Sequence, residues 1–210
     1  MMIMNSIRLK HVLQDSATPL HARNIEADNE LKDANADLTA EVARLRLRVL
    51  ELERAADTDP LIPIYNRRAF LREVARAQSV NDRYEFRSAL IFFDLDNFKT
   101  VNDKYGHRVG DTLLKKIGAA LKTAIRDCDM VARLGGDEFG ILLFKTDVEL
   151  AKVKAAALSC RIADQHVVFP QEKISVSAAW GVADCEAGKP VEQILDRADR
   201  AMYMAKQMAS

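Results

Sequence analysis

One stretch of the sequence decides the fold: residues 129–144 read DMVARLGGDEFGILLF. Apolar residues that favour β structure stand on both sides of the glycine pair Gly135-Gly136. Because glycine readily adopts positive φ, the pattern predicts two strands joined by a tight turn. The turn would carry the adjacent carboxylates of Asp137 and Glu138. Taken alone, the stretch is also typical of a solvated hairpin, since turns favour these residue types.

A second stretch, residues 88–99, reads SALIFFDLDNFK. Its apolar part predicts a buried strand, with Asp94 at the carboxyl end and a helical pattern directly after it. The N–H groups at a helix start favour a phosphate, and Lys99 adds a positive charge. Asp94 and Asp137 would offer Mg²⁺ the hard oxygen ligands that it shares with a substrate's phosphates. Helix capping by Asp94 and Asp96 is the alternative explanation.

Helical and strand patterns alternate along the remaining chain. Helices are predicted over about residues 66–75, 98–104, 110–125, 147–164 and 191–208, and a further strand over residues 174–182. This alternation predicts an α/β or α+β domain whose central sheet is covered by helices.

Composition excludes several classes of protein. The 31 basic and 31 acidic residues balance, which argues against a nucleic-acid partner or an anionic membrane surface. The apolar runs are too short to span a bilayer, and the first residues do not resemble a signal peptide. The widely spaced Cys128, Cys160 and Cys185 indicate neither a disulfide framework nor a zinc site. We therefore expect a cytoplasmic protein without a membrane span.

Residues 28–57 carry a heptad pattern. Its two inward positions are occupied by Leu31, Leu38, Leu45 and Leu52, and by Asn35, Val42 and Val49. Valine at the first position with leucine at the second favours a parallel two-stranded coiled coil, in which Asn35 would fix the register. An amphipathic helix packed on its own domain is the alternative. We expect a homodimer through residues 28–57, a partly helical segment over residues 1–27, and a separate domain over residues 58–210.

Residues 135–139 spell GGDEF, and other spaced blocks accompany them. These blocks are residues 93–103, 106–107, 110–111, 174–177 with Gly181, 198–199 and 203–206. Together they resemble, in order and spacing, the diguanylate cyclase family that is named after the GGDEF motif. The resemblance covers roughly residues 57–206. It implies a sheet flanked by helices, similar to that of nucleotidyl cyclases and polymerase palms. It also implies an enzyme that condenses two GTP into cyclic di-GMP and pyrophosphate.

The resemblance also implies roles for individual residues. Mg²⁺ or Mn²⁺ would be held by Asp94, Asp137 and the carbonyl of Leu95. GTP would be bound by Phe98, Asn102, Asp111, Gly135, Gly136 and Lys206. The catalytic residues would be Lys99, Asp137 and Glu138, and either of the two acids would accept the proton of the attacking 3′-hydroxyl. Asn102 and Asp111 suit the guanine edge because an amide and a carboxylate complement its donors and acceptors.

Two further expectations come from the resemblance. Each domain would hold one GTP, so two domains must face each other, and a coiled coil would raise their effective concentration. Arg126 and Asp129 are similar to the family's inhibitory product site, which predicts inhibition by cyclic di-GMP. As ordinary sequence, they are a helix end followed by a turn.

The chain departs from the family pattern at two places. Ile62-Pro63 stands where the family usually has Thr-Gly, which would stiffen the segment leading into the domain. Ser210 stands where a phosphate-binding arginine usually follows Lys206. Two other functions remain open, a silent receptor for cyclic di-GMP and a coiled-coil signalling adaptor. A regulatory protein would engage the N-terminal arm.

Overall fold

The computed structural model describes residues 31–32, 34–53, 56–84 and 86–209. The chain divides into two compact units, Met1–Ala55 and Ala56–Ser210. The predicted segment over residues 1–27 lies outside the described residues. Within the part that is described, no helix is both long enough and apolar enough to cross a membrane.

In the described part of the first unit, residues 34–53 form the helix α1, and residues 31–32 are also helical. Its apolar heptad side chains are between 45 and 69% exposed in the single chain; they are Leu31, Leu38, Val42, Leu45, Val49 and Leu52. Ion pairs three residues apart, Arg44 with Glu41 and Arg48 with Glu51, lie along the helix. The helix is confirmed, whereas its pairing with a second copy stays a prediction.

The second unit mixes strands and helices. Its described elements are β1 (Tyr65–Asn66), α2 (Arg67–Tyr84), β2 (Ala89–Leu95), α3 (Phe98–Tyr105), α4 (His107–Ala124), β3 (Met130–Arg133), β4 (Glu138–Leu143), α5 (Val148–Ala163), β5 (Val167–Phe169), β6 (Glu172–Ile174), β7 (Ala178–Asp184) and α6 (Val191–Ala209). Five strands form one sheet in the order β1-β3-β4-β2-β7, and β5 pairs with β6 in a separate hairpin. β1 and β3 run parallel, and the other pairs are antiparallel. The predicted α+β fold with a central sheet is confirmed.

Side chains of β2 alternate between the two faces of the sheet and so reach both halves of the core. Ile91 and Phe93 belong to the apolar cluster that includes side chains of α3, α4 and α5. Leu90 and Phe92 belong to the cluster that includes side chains of α2 and α6. Burial of each such side chain contributes about 1.5–3 kcal/mol relative to exposure. β2 is therefore fixed from both sides, and so is the acidic residue Asp94 near its end.

The strand predicted over residues 174–182 is wrong as a single element. Ile174 ends β6 in the small hairpin, and β7 begins only at Ala178 in the main sheet. Between them, the Ser177 carbonyl accepts the N–H of Asp96 at 2.9 Å, and the Ser177 hydroxyl donates to the Asp96 carboxylate at 2.8 Å. These bonds engage the polar groups of Ser177 outside a strand ladder.

Candidate active site where β2 meets the β3–β4 hairpin

The hairpin turn occupies residues 134–137. Its strands end at Arg133 and resume at Glu138, and the N–H of Leu134 donates to the Glu138 carbonyl at 2.9 Å. This register places the Asp137 side chain in the turn and the Glu138 side chain at the first position of β4. The predicted hairpin, with adjacent carboxylates at its tip, is confirmed.

The reason predicted for the glycine pair is wrong, because neither glycine has positive φ. Among the described residues, the glycines with positive φ are Gly106 and Gly188. At Gly135 the structure instead requires the absence of a side chain, since a Cβ there would overlap the Glu138 carboxylate. A Cβ at Gly136 would meet no heavy atom within 4 Å.

Acidic side chains from two strands and a turn meet at one point of the sheet. Asp94 in β2 pairs directly with Glu138 in β4. The N–H of Leu95 donates to the Asp137 carbonyl at 3.2 Å, which ties the turn to the end of β2. Asp94 is the last residue but one of β2, which ends at Leu95, so it lies at the carboxyl end of the strand as predicted. The sheet therefore brings Asp94, Asp137 and Glu138 together.

This crowding of acids changes the ionisation of Glu138. Burial raises the pKa of Glu138 above its usual value, and the negative charges of Asp94 and Asp137 raise that pKa further. The positive charge of Arg67 opposes both effects. Because a cation near the three carboxylates would relieve this repulsion, the site favours a positively charged ligand.

Lys206 of α6 lies beside the same acids. Its Nζ contacts Asp94 Oδ2 at 2.8 Å and Asp96 Oδ1 at 3.1 Å. Burial is the largest effect on the pKa of Lys206 and lowers it, but the hydrogen bonds to Asp94 and Asp96 and the negative charges of these carboxylates together raise the pKa above its usual value. A stably charged ammonium group therefore lies next to the acids.

The residues predicted to bind the nucleotide begin at the start of α3. Phe98 and Lys99 form its first turn, and the Lys99 side chain is exposed. A Cβ on Gly110 of α4 would overlap the Asn102 amide and approach the Phe98 ring, so the missing side chain makes room for both. Asp111 follows Gly110 directly and is half-buried. The structure thus groups Phe98 and Asn102 with the start of α4.

Arg126 and Asp129 lie at the other end of the hairpin. Asp129 accepts the N–H of Phe144, just after β4, at 3.1 Å and the N–H of Arg126 at 3.2 Å. Glu138 stands six residues before Phe144, which corresponds to about 20 Å along a strand. Arg126 and Asp129 therefore do not join the acidic cluster. The Asp129 carboxylate holds a turn, and the Arg126 side chain is exposed.

The donor set of the cluster fits a hard divalent cation. Asp94 and Asp137 supply carboxylate oxygens, and Mg²⁺ is commonly bound by one or two carboxylates together with substrate phosphates. Among the described residues, no three His, Cys, Asp or Glu side chains are arranged to hold a metal by themselves. Asp94 and Asp137 supply as many carboxylates as protein sites for Mg²⁺ commonly do, so the cluster fits such an ion as part of its ligand set.

Sequence reasoning missed several residues near the cluster. Arg133 donates from Nη2 and Nε to the Gly136 carbonyl, at 2.7 and 3.1 Å, and its Nη1 lies 3.4 Å from Asp59 Oδ1. Arg67 and Asp199 both act electrostatically on Glu138. The position of Arg133, two residues before the glycine pair, could have indicated a role at the turn. Its contact with Asp59 could not be predicted, because the two residues are far apart in sequence.

The mixed sheet with acids on β2 and β4 agrees with the palm-like α+β domain that the resemblance implies. Residues 56–210 match the family model described as "Diguanylate cyclase, GGDEF domain". The chain therefore belongs to the GGDEF family.

Known proteins of the family resemble this chain in sequence and structure. Diguanylate cyclase DgcS of Shewanella oneidensis is 34% identical over 160 residues, which are 74% of this chain and 51% of DgcS. Among solved structures, this chain is similar to diguanylate cyclase SiaD from Pseudomonas aeruginosa, which was crystallised in complex with its activator SiaC. The two sequences are 28% identical, and the TM-score is 0.79. That match covers 98% of this chain and 79% of the SiaD chain.

A second solved structure contains the coiled coil and GGDEF domain of DgcB from Caulobacter crescentus in complex with c-di-GMP. It is 26% identical with a TM-score of 0.74, and the match covers 84% of this chain and 94% of that chain. This chain spans about half of the length of DgcS, and between 15 and 43% of three other curated relatives.

Proposed function

We propose that this chain is a diguanylate cyclase that condenses two GTP into cyclic di-GMP with release of pyrophosphate. One observation carries the proposal: the sheet places Asp94, Asp137 and Glu138 together beside the Lys206 ammonium group. Nucleotidyl transfer needs charge stabilisation around a phosphate, and this cluster offers carboxylates for a metal ion and a cation for phosphate oxygens. The activity named for DgcS and SiaD supports the same conclusion.

In this proposal Asp94, Asp137 and the Leu95 carbonyl hold Mg²⁺ or Mn²⁺. When bound, the ion neutralises charge on the phosphate oxygens of the transferring group. Gly135 and Gly136 leave the turn backbone open to the α-phosphate, and Lys99 and Lys206 pair with the terminal phosphates. Asp137 or Glu138 accepts the proton of the attacking 3′-hydroxyl.

In the same proposal, the guanine is bound by residues of α3 and α4. Asn102 and Asp111 read its edge, and Phe98 packs beside it. The support from the structure is the space that Gly110 leaves for the Asn102 amide and the Phe98 ring.

Incubation of the purified protein with GTP and Mg²⁺, followed by chromatography of the nucleotides, tests the activity. We expect cyclic di-GMP and pyrophosphate from the natural sequence, and no turnover from Asp137→Asn. The control is Asp196→Asn, an exposed acid on α6, which should keep full turnover. Binding of cyclic di-GMP without any turnover would instead identify a receptor, and binding of neither nucleotide would favour an adaptor.

Dimerisation through residues 28–57 completes the proposal, because each domain over residues 58–210 holds one GTP. The exposed heptad stripe of α1 supports a two-stranded coiled coil. Leu45→Glu should give a monomer in sedimentation and reduce turnover. The matched control is Leu47→Glu, since Leu47 is 64% exposed but lies off the stripe. A monomeric mass for the natural sequence at micromolar concentration would contradict this part.

Product inhibition at Arg126 and Asp129 is the proposed control of the activity. An arginine fork can bind guanine or phosphate with two hydrogen bonds. Arg126→Ala should weaken cyclic di-GMP binding and relieve inhibition, and unchanged inhibition would reject the assignment. Arg126 is the cleaner probe, because Asp129 accepts backbone N–H groups that hold the turn.

We also propose a cytoplasmic setting and a regulatory protein that engages the N-terminal arm. The free thiols of Cys128, Cys160 and Cys185 suit a reducing compartment. The SiaD structure contains an activator protein, which supports the idea of control by a partner. Pull-down with and without residues 1–57 tests the second point.

A further inference from the structure

The backbone of the hairpin turn, residues 134–137, is held by a side chain outside the GGDEF motif. Arg133, the last residue of β3, donates Nη2 to the Gly136 carbonyl at 2.7 Å and Nε to the same oxygen at 3.1 Å. A guanidinium group is planar and rigid, so two donors on one oxygen fix both the distance and the direction of that carbonyl.

The guanidinium is itself fixed by a second contact. Arg133 Nη1 lies 3.4 Å from Asp59 Oδ1, and the two side chains are only 16 and 11% exposed. The same oxygen of Asp59 accepts the N–H groups of Leu61 and Ile62, each at 2.9 Å. Asp59 is therefore part of a hydrogen-bonded turn, and its carboxylate cannot turn away from Arg133 without breaking these bonds.

That turn is anchored to the domain. The N–H of Asp59 donates to the Ile64 carbonyl at 2.9 Å, and Lys122 of α4 donates Nζ to the Pro63 carbonyl at 3.0 Å. Ile62 is buried and lies where a side chain on Gly118 of α4 would be. The Ile62-Pro63 pair that departs from the family pattern thus fits a packed site on α4.

Fixing the Gly136 carbonyl has a consequence for Asp137. In a trans peptide, the carbonyl and the next N–H point in opposite directions. Because the Gly136 carbonyl points toward Arg133, the N–H of Asp137 points away from Arg133. On the other side of Asp137, its carbonyl accepts the Leu95 N–H at 3.2 Å. Asp137 is therefore held before and after its Cα, so the backbone that carries its carboxylate is fixed.

We propose that Arg133 is a positioning residue for Asp137, and that Asp59 keeps Arg133 in place for this task. This inference rests on the proposed diguanylate cyclase reaction. Arg133 acts through the Gly136–Asp137 peptide rather than on a substrate, so its loss should slow the chemical step more than it weakens GTP binding. Displacement of a reacting group by about 1 Å can cost about a hundredfold in rate.

Asp59→Asn is the sharpest test, because the amide oxygen keeps the turn bonds to Leu61 and Ile62 while the charge that holds Arg133 is lost. We expect kcat to fall about tenfold while KM for GTP changes by less than about twofold. The matched control is Asp57→Asn, which removes the ion pairs of a neighbouring acid with Arg68 and Arg72 of α2. It makes no described contact with the hairpin, and kcat should stay unchanged.

Arg133→Lys is the second variant, since lysine retains the charge but lacks the planar fork. It should reproduce the fall in kcat, and the double variant with Asp59→Asn should lose no more than the worse single variant. Losses that multiply would show that the two residues act separately and would overturn the link. A kcat equal to that of Asp57→Asn, or an effect on KM alone, would overturn the positioning role.

Hydrogen exchange separates this inference from the proposed function. In Asp59→Asn, the amides of Leu134 and Leu95, which donate to the Glu138 and Asp137 carbonyls, should exchange about tenfold faster than in the natural sequence, whether or not product forms. Faster exchange in a chain without cyclase activity would reject the proposed function but support the contact between Asp59 and Arg133. Normal exchange and normal kcat in an active cyclase would reject the positioning role of Arg133 but support the proposed function.

Discussion

Gly135 and Glu138 share a space that only a glycine can leave open. A Cβ on Gly135 would overlap the Glu138 carboxylate, while the corresponding position on Gly136 is empty to 4 Å. Glu138 already lies against Asp94 and Asp137, whose charges add to burial in raising its pKa. Any displacement of its carboxylate therefore changes both the geometry and the charge balance of the cluster.

Gly135→Ala should reduce cyclase turnover by about tenfold or more, because the Glu138 carboxylate must leave its position. The atoms that the new Cβ would meet are at the end of a flexible side chain, so the free energy of unfolding should change by less than about 1 kcal/mol. Turnover and urea unfolding of the same preparation test the pair of expectations. A large loss of stability would show that the backbone, not Glu138, yields.

Most helices and strands could be predicted from local patterns in the sequence. The hairpin, β2 and the long helices were predicted from apolar periodicity, and the structure contains them. The glycine pair marked the turn correctly, although neither glycine has the positive φ expected of it. The strand predicted over residues 174–182 failed because its alternation continues through residues that bond to Asp96 instead. Alternation describes which side chains are buried, but it does not show which backbone partner a residue has.

In the candidate site as well, residues within local motifs could be predicted, whereas contacts between distant residues could not. Asp94, Asp137 and Glu138 were predicted because they lie within recognisable motifs, and the sheet register brings them together. The contacts of Lys206 with Asp96 and of Arg133 with Asp59 join residues that are far apart in sequence. No local pattern encodes such pairs, since they arise only when separate elements pack.

Packing of α6 on β7 depends on another glycine. A Cβ on Gly181 would overlap the Ala198 carbonyl oxygen and approach the Met202 N–H, which are backbone atoms of α6. Backbone atoms cannot rotate away as the end of a side chain can, so α6 itself would have to shift. Because α6 carries Lys206, the shift would also reach the acidic cluster.

Gly181→Ala should lower the free energy of unfolding by about 1–3 kcal/mol, since overpacking forces the helix off the sheet. Turnover should fall as well, through the displaced Lys206. The control for stability is Gly136→Ala, where the Cβ has space and the change in unfolding free energy should stay below about 1 kcal/mol. Equal stability of the two variants in urea unfolding would disprove the close approach of α6.

For the domain as a whole, acid sensitivity depends on carboxylates that are paired in the folded state. Asp57 is such a group: a hydrogen bond from Arg72, supported by Arg68, lowers the pKa of Asp57 below its ordinary value of 3.8. Its side chain is 14% exposed, whereas the exposed pair of Lys152 with Glu149 leaves the carboxylate 80% exposed. Screening by water makes the second pair the weaker one.

The lowered pKa sets the sign of the pH dependence. The unfolded chain binds a proton at Asp57 more readily than the folded chain does, so the pair stabilises the domain above pH 3.8 and loses this effect as the pH falls through the lower folded value. Asp57→Asn should therefore reduce the free energy of unfolding by about 1 kcal/mol at about pH 7, and by progressively less below about pH 4. Urea unfolding of both chains across this range measures the difference, with Glu149→Gln as the control that changes little at any pH. A difference that grows on acidification would mean that Asp57 is not held as an anion by Arg72 and Arg68.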